Sequence, residues 1–208
     1  MEQIRISSCR IMSGACLALF LSGCISISSS PTPHFYKLQA INADQVSEKM
    51  NMASNVLIGV GPVKIPEYQD RPQIVTLGKE KTLKFAQFDR WGESLDLGLA
   101  RLIREDLTAI LPEAKFTSYP WNQSMPVKYQ VVVEIVQLDS ELDKDLFLVA
   151  QWQVIDARTT KTVIIKRSEL RQPVIPQDYP GLAKALSTAC ASLSGEIAKA
   201  LATLEDHT

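Results

Sequence analysis

Cysteine is the residue type with the most chemistry to offer in this chain, and its four occurrences differ in setting. Cys24 ends the run Leu21-Ser22-Gly23-Cys24. Small residues before a scissile bond let an extended chain enter a narrow peptidase groove. The thiol that follows can be converted into a thioether to diacylglycerol. Cys190 lies between Ala189 and Ala191 with no histidine nearby in sequence, which suits a small buried hydrophobe better than a reactive thiol. With Cys24 consumed by acylation, Cys190 has no partner, and no disulfide within the chain is expected. The two histidines, His34 and His207, fall near no cluster of ligand residues, so no metal site is expected. Glu134, Asp139, Glu141, Asp143 and Asp145 could include a carboxylate pair for acid–base work, but read more simply as solvated strand and turn positions. Trp91, Trp121 and Trp152 could line a ligand pocket, or could be core and rim. No nucleophile elbow, phosphate loop or dinucleotide glycine pattern occurs. Catalysis therefore has no support, and no cofactor is expected beyond lipid on Cys24.

What precedes Cys24 positions it. Arg5 and Arg10 supply positive charge, and the apolar stretch from Ile11 to Leu21 has the length of a signal-peptide core, too short for a stable membrane span. Together with Leu21–Cys24 this resembles the lipobox of bacterial lipoproteins. The resemblance implies a leader, residues 1–23, removed before Cys24, and a diacylglycerol and an N-acyl chain carried on that cysteine. Each buried methylene contributes about 0.8 kcal/mol and one chain binds only marginally, whereas two or three hold firmly. Ile25, rather than Asp, follows Cys24; by the same resemblance this directs the protein to the outer membrane, on its periplasmic face. Residues 24–33 then form a lipidated, Ser/Pro-rich tether that cannot bury enough surface to order itself. Residues 34–208 remain for a single domain with a real core. With 22 Lys+Arg against 23 Asp+Glu, there is no basic excess to bind nucleic acid.

The domain reads as strands and helices by periodicity. Strands are expected at His34–Ile41, Val56–Val60 (ended or bent by Gly61-Pro62), Gln73–Leu77, Thr82–Phe88 and Lys115–Ser118. A loop is expected over residues 42–54 and another over Ile65–Pro72. A meander of Val127–Leu138, Leu146–Ile155 and Thr162–Leu170 follows, its last turn at Asp156–Lys161. Trp91–Leu111 has apolar residues at helical spacing, with Asp89 as N-cap and Arg101, Arg104, Glu105 and Asp106 on the opposite face. Tyr179–Leu204 is a long amphipathic helix whose stripe is Leu182, Leu186, Ala189, Leu193, Ile197, Leu201 and Leu204. The pattern predicts an α+β fold: a mostly antiparallel sheet with the two long amphipathic helices packed on one face.

Two segments are distinctive. Pro66-Glu67-Tyr68-Gln69-Asp70-Arg71-Pro72-Gln73-Ile74-Val75-Thr76 is followed by Phe88-Asp89-Arg90-Trp91-Gly92-Glu93-Ser94-Leu95. Together they resemble the PqiC family, the ABC-type transport auxiliary lipoproteins. Leu77 replaces the family's usual Arg, and Gly92-Glu93-Ser94 its usual Ala-Glu-Pro. The resemblance implies a non-catalytic subunit of an MCE-type (mammalian cell entry) lipid transport system. Its partner would be the periplasmic MCE-domain protein, docked at the outer membrane, with a homo-oligomeric ring possible. A periplasmic lipid-binding module and a structural envelope lipoprotein unrelated to transport are the alternatives. Aromatic and arginine residues are favoured interface anchors, so Tyr68, Asp70, Arg71, Arg90, Trp91 and Glu93 are the candidate partner-binding residues. The competing reading is that these charges brace one another within the chain. If they form an interface, Arg71→Ala or Trp91→Ala should lose transporter capture in a pull-down while folding normally.

Overall fold

The β-branched alternation of Val131, Val133 and Ile135 places those side chains on one face of a strand and leaves Glu134 and Val136 on the other. This strand and its neighbours build the larger of two sheets. A computed structural model describes residues 31–204 apart from 42–45, 47–48 and 53–54; Cys24, the leader, most of the tether, much of the 42–54 loop and His207 lie outside the described residues. The strands are β1 (His34–Tyr36), β2 (Leu57–Lys64), β3 (Gln73–Leu77), β4 (Leu83–Trp91), β5 (Lys115–Ser118), β6 (Tyr129–Ser140), β7 (Asp145–Asp156) and β8 (Lys161–Pro173). The helices are α1 (Leu95–Ile110) and α2 (Tyr179–Thr203).

The five-stranded sheet runs β5-β2-β6-β7-β8 and the three-stranded sheet β1-β4-β3. The α+β class and both helices are as expected, but the sheets are mixed. The long β6–β7 and β7–β8 ladders and the β3–β4 hairpin are antiparallel. In contrast, β2 pairs parallel with both β5 and β6, and β1 with β4. Parallel pairing needs a crossover, and the chain from β2 to β5 supplies one that carries β3, β4 and α1. Gly61-Pro62 bends β2 rather than ending it. The register shifts between Val60 and Val63, and Gly61 takes a positive φ of 112° that side chains rarely adopt.

One face of the larger sheet meets the helices. Ile58, Val60, Val131, Val133, Leu148 and Trp152 are buried in one cluster with Leu99, Leu102, Ile103 and Leu107 of α1 and Leu182, Leu186, Leu193, Ile197 and Leu201 of α2. Each such side chain contributes roughly 1.5–3 kcal/mol through burial. The other face of β2 is closed by Trp121. A Cβ on Gly59 would come within 2.3 Å of its ring, so only glycine leaves room there.

Helix α1 begins four residues later than its apolar period suggests. Asp89 is not its N-cap; Ser94 is. The chain through Asp89, Arg90 and Trp91 stays extended because β1 adds to it in register, His34 opposite Asp89 and Tyr36 opposite Trp91. The expected strand to Ile41 likewise stops at Tyr36. Beyond it the backbone bonds to side chains of the helices, Gln39 N–H donating to Ser187 Oγ at 3.1 Å and Ile41 N–H to Asp106 Oδ1 at 2.9 Å. Asp178 caps α2, its Oδ1 accepting from Gly181 N–H at 2.8 Å.

Asp106 also departs from expectation. It is fully buried rather than on the polar face of α1, and its second oxygen accepts from Ser194 Oγ at 3.2 Å. Burial pushes its carboxyl up to about 6, against the two hydrogen bonds that favour the anion. The folded state thus holds this proton more tightly than the unfolded chain does. The stability contributed is complete below the ordinary carboxyl range and is lost as pH rises through about 6. Asp106→Asn keeps an acceptor for Ile41 and does not ionise. Its unfolding free energy should therefore gain on the wild type by up to ~3 kcal/mol between about pH 4 and pH 7. Denaturant unfolding across that range checks this, and a pH-independent difference would exclude it.

Candidate functional site

The turn Glu67–Gln69 with the link that follows it, and the β3–β4 hairpin, carry five of the six candidate residues. The two distinctive segments do meet. Gln73 pairs with Arg90 across the hairpin, and Trp91 N–H donates to Pro72 O at 2.8 Å. They are braced through backbone rather than through the ion pairs considered above.

The individual side chains divide into two groups. Trp91 is in the core, 7% exposed, so it anchors the fold and not a partner. Glu93 is held by Arg101 at 2.6 Å. The same guanidinium binds Glu105 at 3.0 Å and Leu38 O at 3.0 Å, so Glu93 belongs to a clamp joining α1 to the chain after β1. Tyr68 is half-buried; its hydroxyl accepts from Leu138 N–H at 3.2 Å. Burial raises its pKa. The adjacent Gln69 donates through Nε2 to Leu138 O at 2.8 Å, and the two residues fasten the turn to β6. Arg90 is half-buried, with its Nε buried and making no hydrogen bond.

Asp70 and Arg71 remain at the surface. The Arg71 guanidinium sits 4.4 Å from the centre of the Phe85 ring, a cation–π contact. Phe85 and Leu83 are 48% and 42% exposed and lie two residues apart on β4, opposite Val75 and Leu77. Phe85 and Leu83 were missed because alternation on a short strand does not say which face is covered. Phe85 also walls a groove of about 610 Å³ between the hairpin and the β6–β7 turn, with Leu142 and Tyr179 opposite and Lys79, Lys84, Glu141 and Asp143 around it. Glu141 on its wall pairs with Lys81 at 2.7 Å, which holds the Glu141 carboxyl below its ordinary range.

The other chemistry-bearing residues have structural occupations. Asp145 pairs with Arg171 at 3.4 Å, and Gln137 donates to Asp139. Glu134 and Asp143 are exposed. Cys190 is fully buried, and burial raises its thiol pKa. Trp152 donates through Nε1 to Ser168 Oγ at 2.9 Å, and Ser168 in turn donates to Glu196 of α2. Trp121 meets Tyr119 edge-on at 5.7 Å. The tryptophans are thus core and cover. Among the described residues no group of three His, Cys, Asp or Glu is placed to hold a metal ion, and no helix is long and apolar enough to cross a membrane.

A mixed α+β domain with an exposed Arg–Phe hairpin is the frame in which the distinctive segments sit. The chain belongs to the family of ABC-type transport auxiliary lipoprotein components, whose model matches residues 36–198. No curated protein matches the sequence closely enough to count as a relative. Among solved structures, an uncharacterised protein is similar over 82% of this chain and 99% of its own, at 18% identity and a TM-score of 0.65. A Xanthomonas campestris protein of the DUF330 family is similar over 79% of this chain and 92% of its own, at 10% identity and a TM-score of 0.60. At these identities the likeness is one of fold.

The division of the side chains has measurable consequences. Trp91→Ala should destabilise the domain by about 3–5 kcal/mol, whereas Arg71→Glu, which loses only an exposed cation–π contact, should change stability by no more than about 1 kcal/mol. Denaturant unfolding of both variants tests the assignment. A Trp91→Ala protein as stable as the wild type would place that ring at the surface instead.

Proposed function

We propose that the protein is a non-catalytic outer-membrane lipoprotein subunit of an MCE/ABC-type intermembrane lipid transport system. Anchored through acyl chains on Cys24, it docks the periplasmic MCE-domain protein at the outer membrane and so supports envelope integrity. Membership of the auxiliary lipoprotein family supports a transporter partner. The observation that carries the docking role is the hairpin surface. Arg71 stacked on a half-exposed Phe85, beside Leu83 and above a groove edged by both charge signs, combines an aromatic–arginine anchor with a polar rim. That is the composition of protein–protein contact cores. Asp70 and Arg71 keep their candidate role, and Phe85 and Leu83 join them. Tyr68, Arg90, Trp91 and Glu93 act behind them by setting the position of the hairpin.

Two measurements separate anchorage from docking. Arg71→Glu combined with Phe85→Asp should lower capture of the MCE-domain protein from solubilised envelopes by about tenfold or more, since a hot spot is worth at least ~1.4 kcal/mol. Undiminished capture would remove the hairpin from the interface. Cys24→Ala should give a folded domain that leaves the membrane fraction and fails to support envelope integrity; normal barrier function in that strain would refute the anchoring role.

A further inference from the structure

A second groove, of about 580 Å³, runs between the chain from Phe35 to Ile41 and the first half of α2. Its walls include the small residues Ala40, Ala183 and Ala191, and Phe35, Lys37 and Lys184 also line it. Phe35 is 65% exposed. Neither lysine is in an ion pair with a described residue, and the nearby carboxylates are already engaged. Asp89 accepts from the Tyr36 hydroxyl at 2.7 Å and faces His34 at 3.2 Å; Asp178 is committed to the cap of α2. Among the described residues the face therefore presents a bare aromatic ring and two ammonium groups without a carboxylate partner. Exposed phenylalanine rings bury at the boundary between lipid headgroups and acyl chains, and lysines beside them are drawn to anionic lipid.

Covalent geometry says where such a face must stay. The ten residues from Cys24 to Pro33 span at most about 35 Å when fully extended. With Cys24 acylated, β1 and its surroundings cannot move further than that from the membrane. From the composition of the face and the shortness of the link we infer that this surface lies on the bilayer, with Phe35 at the headgroup–acyl boundary and Lys37 and Lys184 on lipid phosphates. The domain is then held in one orientation instead of turning freely on its tether. The inference rests on the anchorage proposed above and adds the face that meets the lipid.

The test uses the full lipidated protein in vesicles of phosphatidylethanolamine and phosphatidylglycerol. A fluorescent label is placed at Gln39→Cys, on the groove wall, or at Ile165→Cys on β8; the buried Cys190 stays in place. Lipids carrying a headgroup quencher should quench the Gln39 label about threefold more than the Ile165 label, a difference lost in about 0.5 M salt. Adding Phe35→Ser, Lys37→Glu and Lys184→Glu should bring the two labels level, with an unchanged melting temperature showing that the fold survives. Protein that floats with the vesicles yet shows equal quenching at both positions overturns the inference while leaving the anchor intact. Protein that fails to float overturns the anchor, and the inference with it.

Discussion

A single buried carboxylate ties together three stretches of chain that are far apart in sequence. Asp106 of α1 receives Ser194 of α2 on one oxygen and the backbone of Ile41 on the other. The first bond joins the helices to each other. The second draws the chain after β1 against them, and Arg101 of α1 repeats that hold through Leu38 O. Since β1 is in register with the end of β4, the small sheet is thereby aligned with the helix layer. Hydrophobic burial supplies most of the free energy here, but it is not directional. The polar contacts select which face of the chain after β1 meets α1 and α2.

That dependence extends to the hairpin. Trp91 in the core and Glu93 in the Arg101 clamp fix the end of β4. Tyr68 and Gln69 fix the turn before β3 by gripping Leu138 of β6. Between these two fixed points Arg71 and Phe85 are left at the surface and in contact. A rigid mounting lowers the entropy lost when a partner binds. The residues that make the motif recognisable are thus largely the mounting, and the residues available to a partner lie beside them.

Much of this was legible in the residues, and the misses have physical causes. The α2 stripe and the β6–β7 part of the meander followed from periodicity because each buries one face over many residues. The start of α1 was misplaced because Trp91 and Leu95 stand four apart, a spacing that a helix and a strand–loop–helix junction can share. Asp106 was assigned to solvent because local sequence carries no trace of Ile41 and Ser194, its distant partners. Parallel pairing of β2 with β5 and β6 was invisible for the same reason: it is a property of the crossover and not of any strand. At the candidate site, charge and aromaticity pointed to the right region, but burial, which alone separates Trp91 from Phe85, had to come from the tertiary structure.

The far edge of the larger sheet has a bearing on life at a membrane. Strand β8 spans 13 residues and, among the described residues, ends the sheet. A long open edge invites copies of a protein to zip together, and confinement to a thin layer raises the local concentration of any lipoprotein. Along β8 the exposed residues Lys161, Lys166, Arg167, Glu169 and Arg171 flank the apolar run Val163-Ile164-Ile165. They set solvated charge where a neighbouring strand would otherwise settle. Solvated charge on these positions makes edge-to-edge pairing of two β8 strands costlier than it would be on a wholly apolar edge.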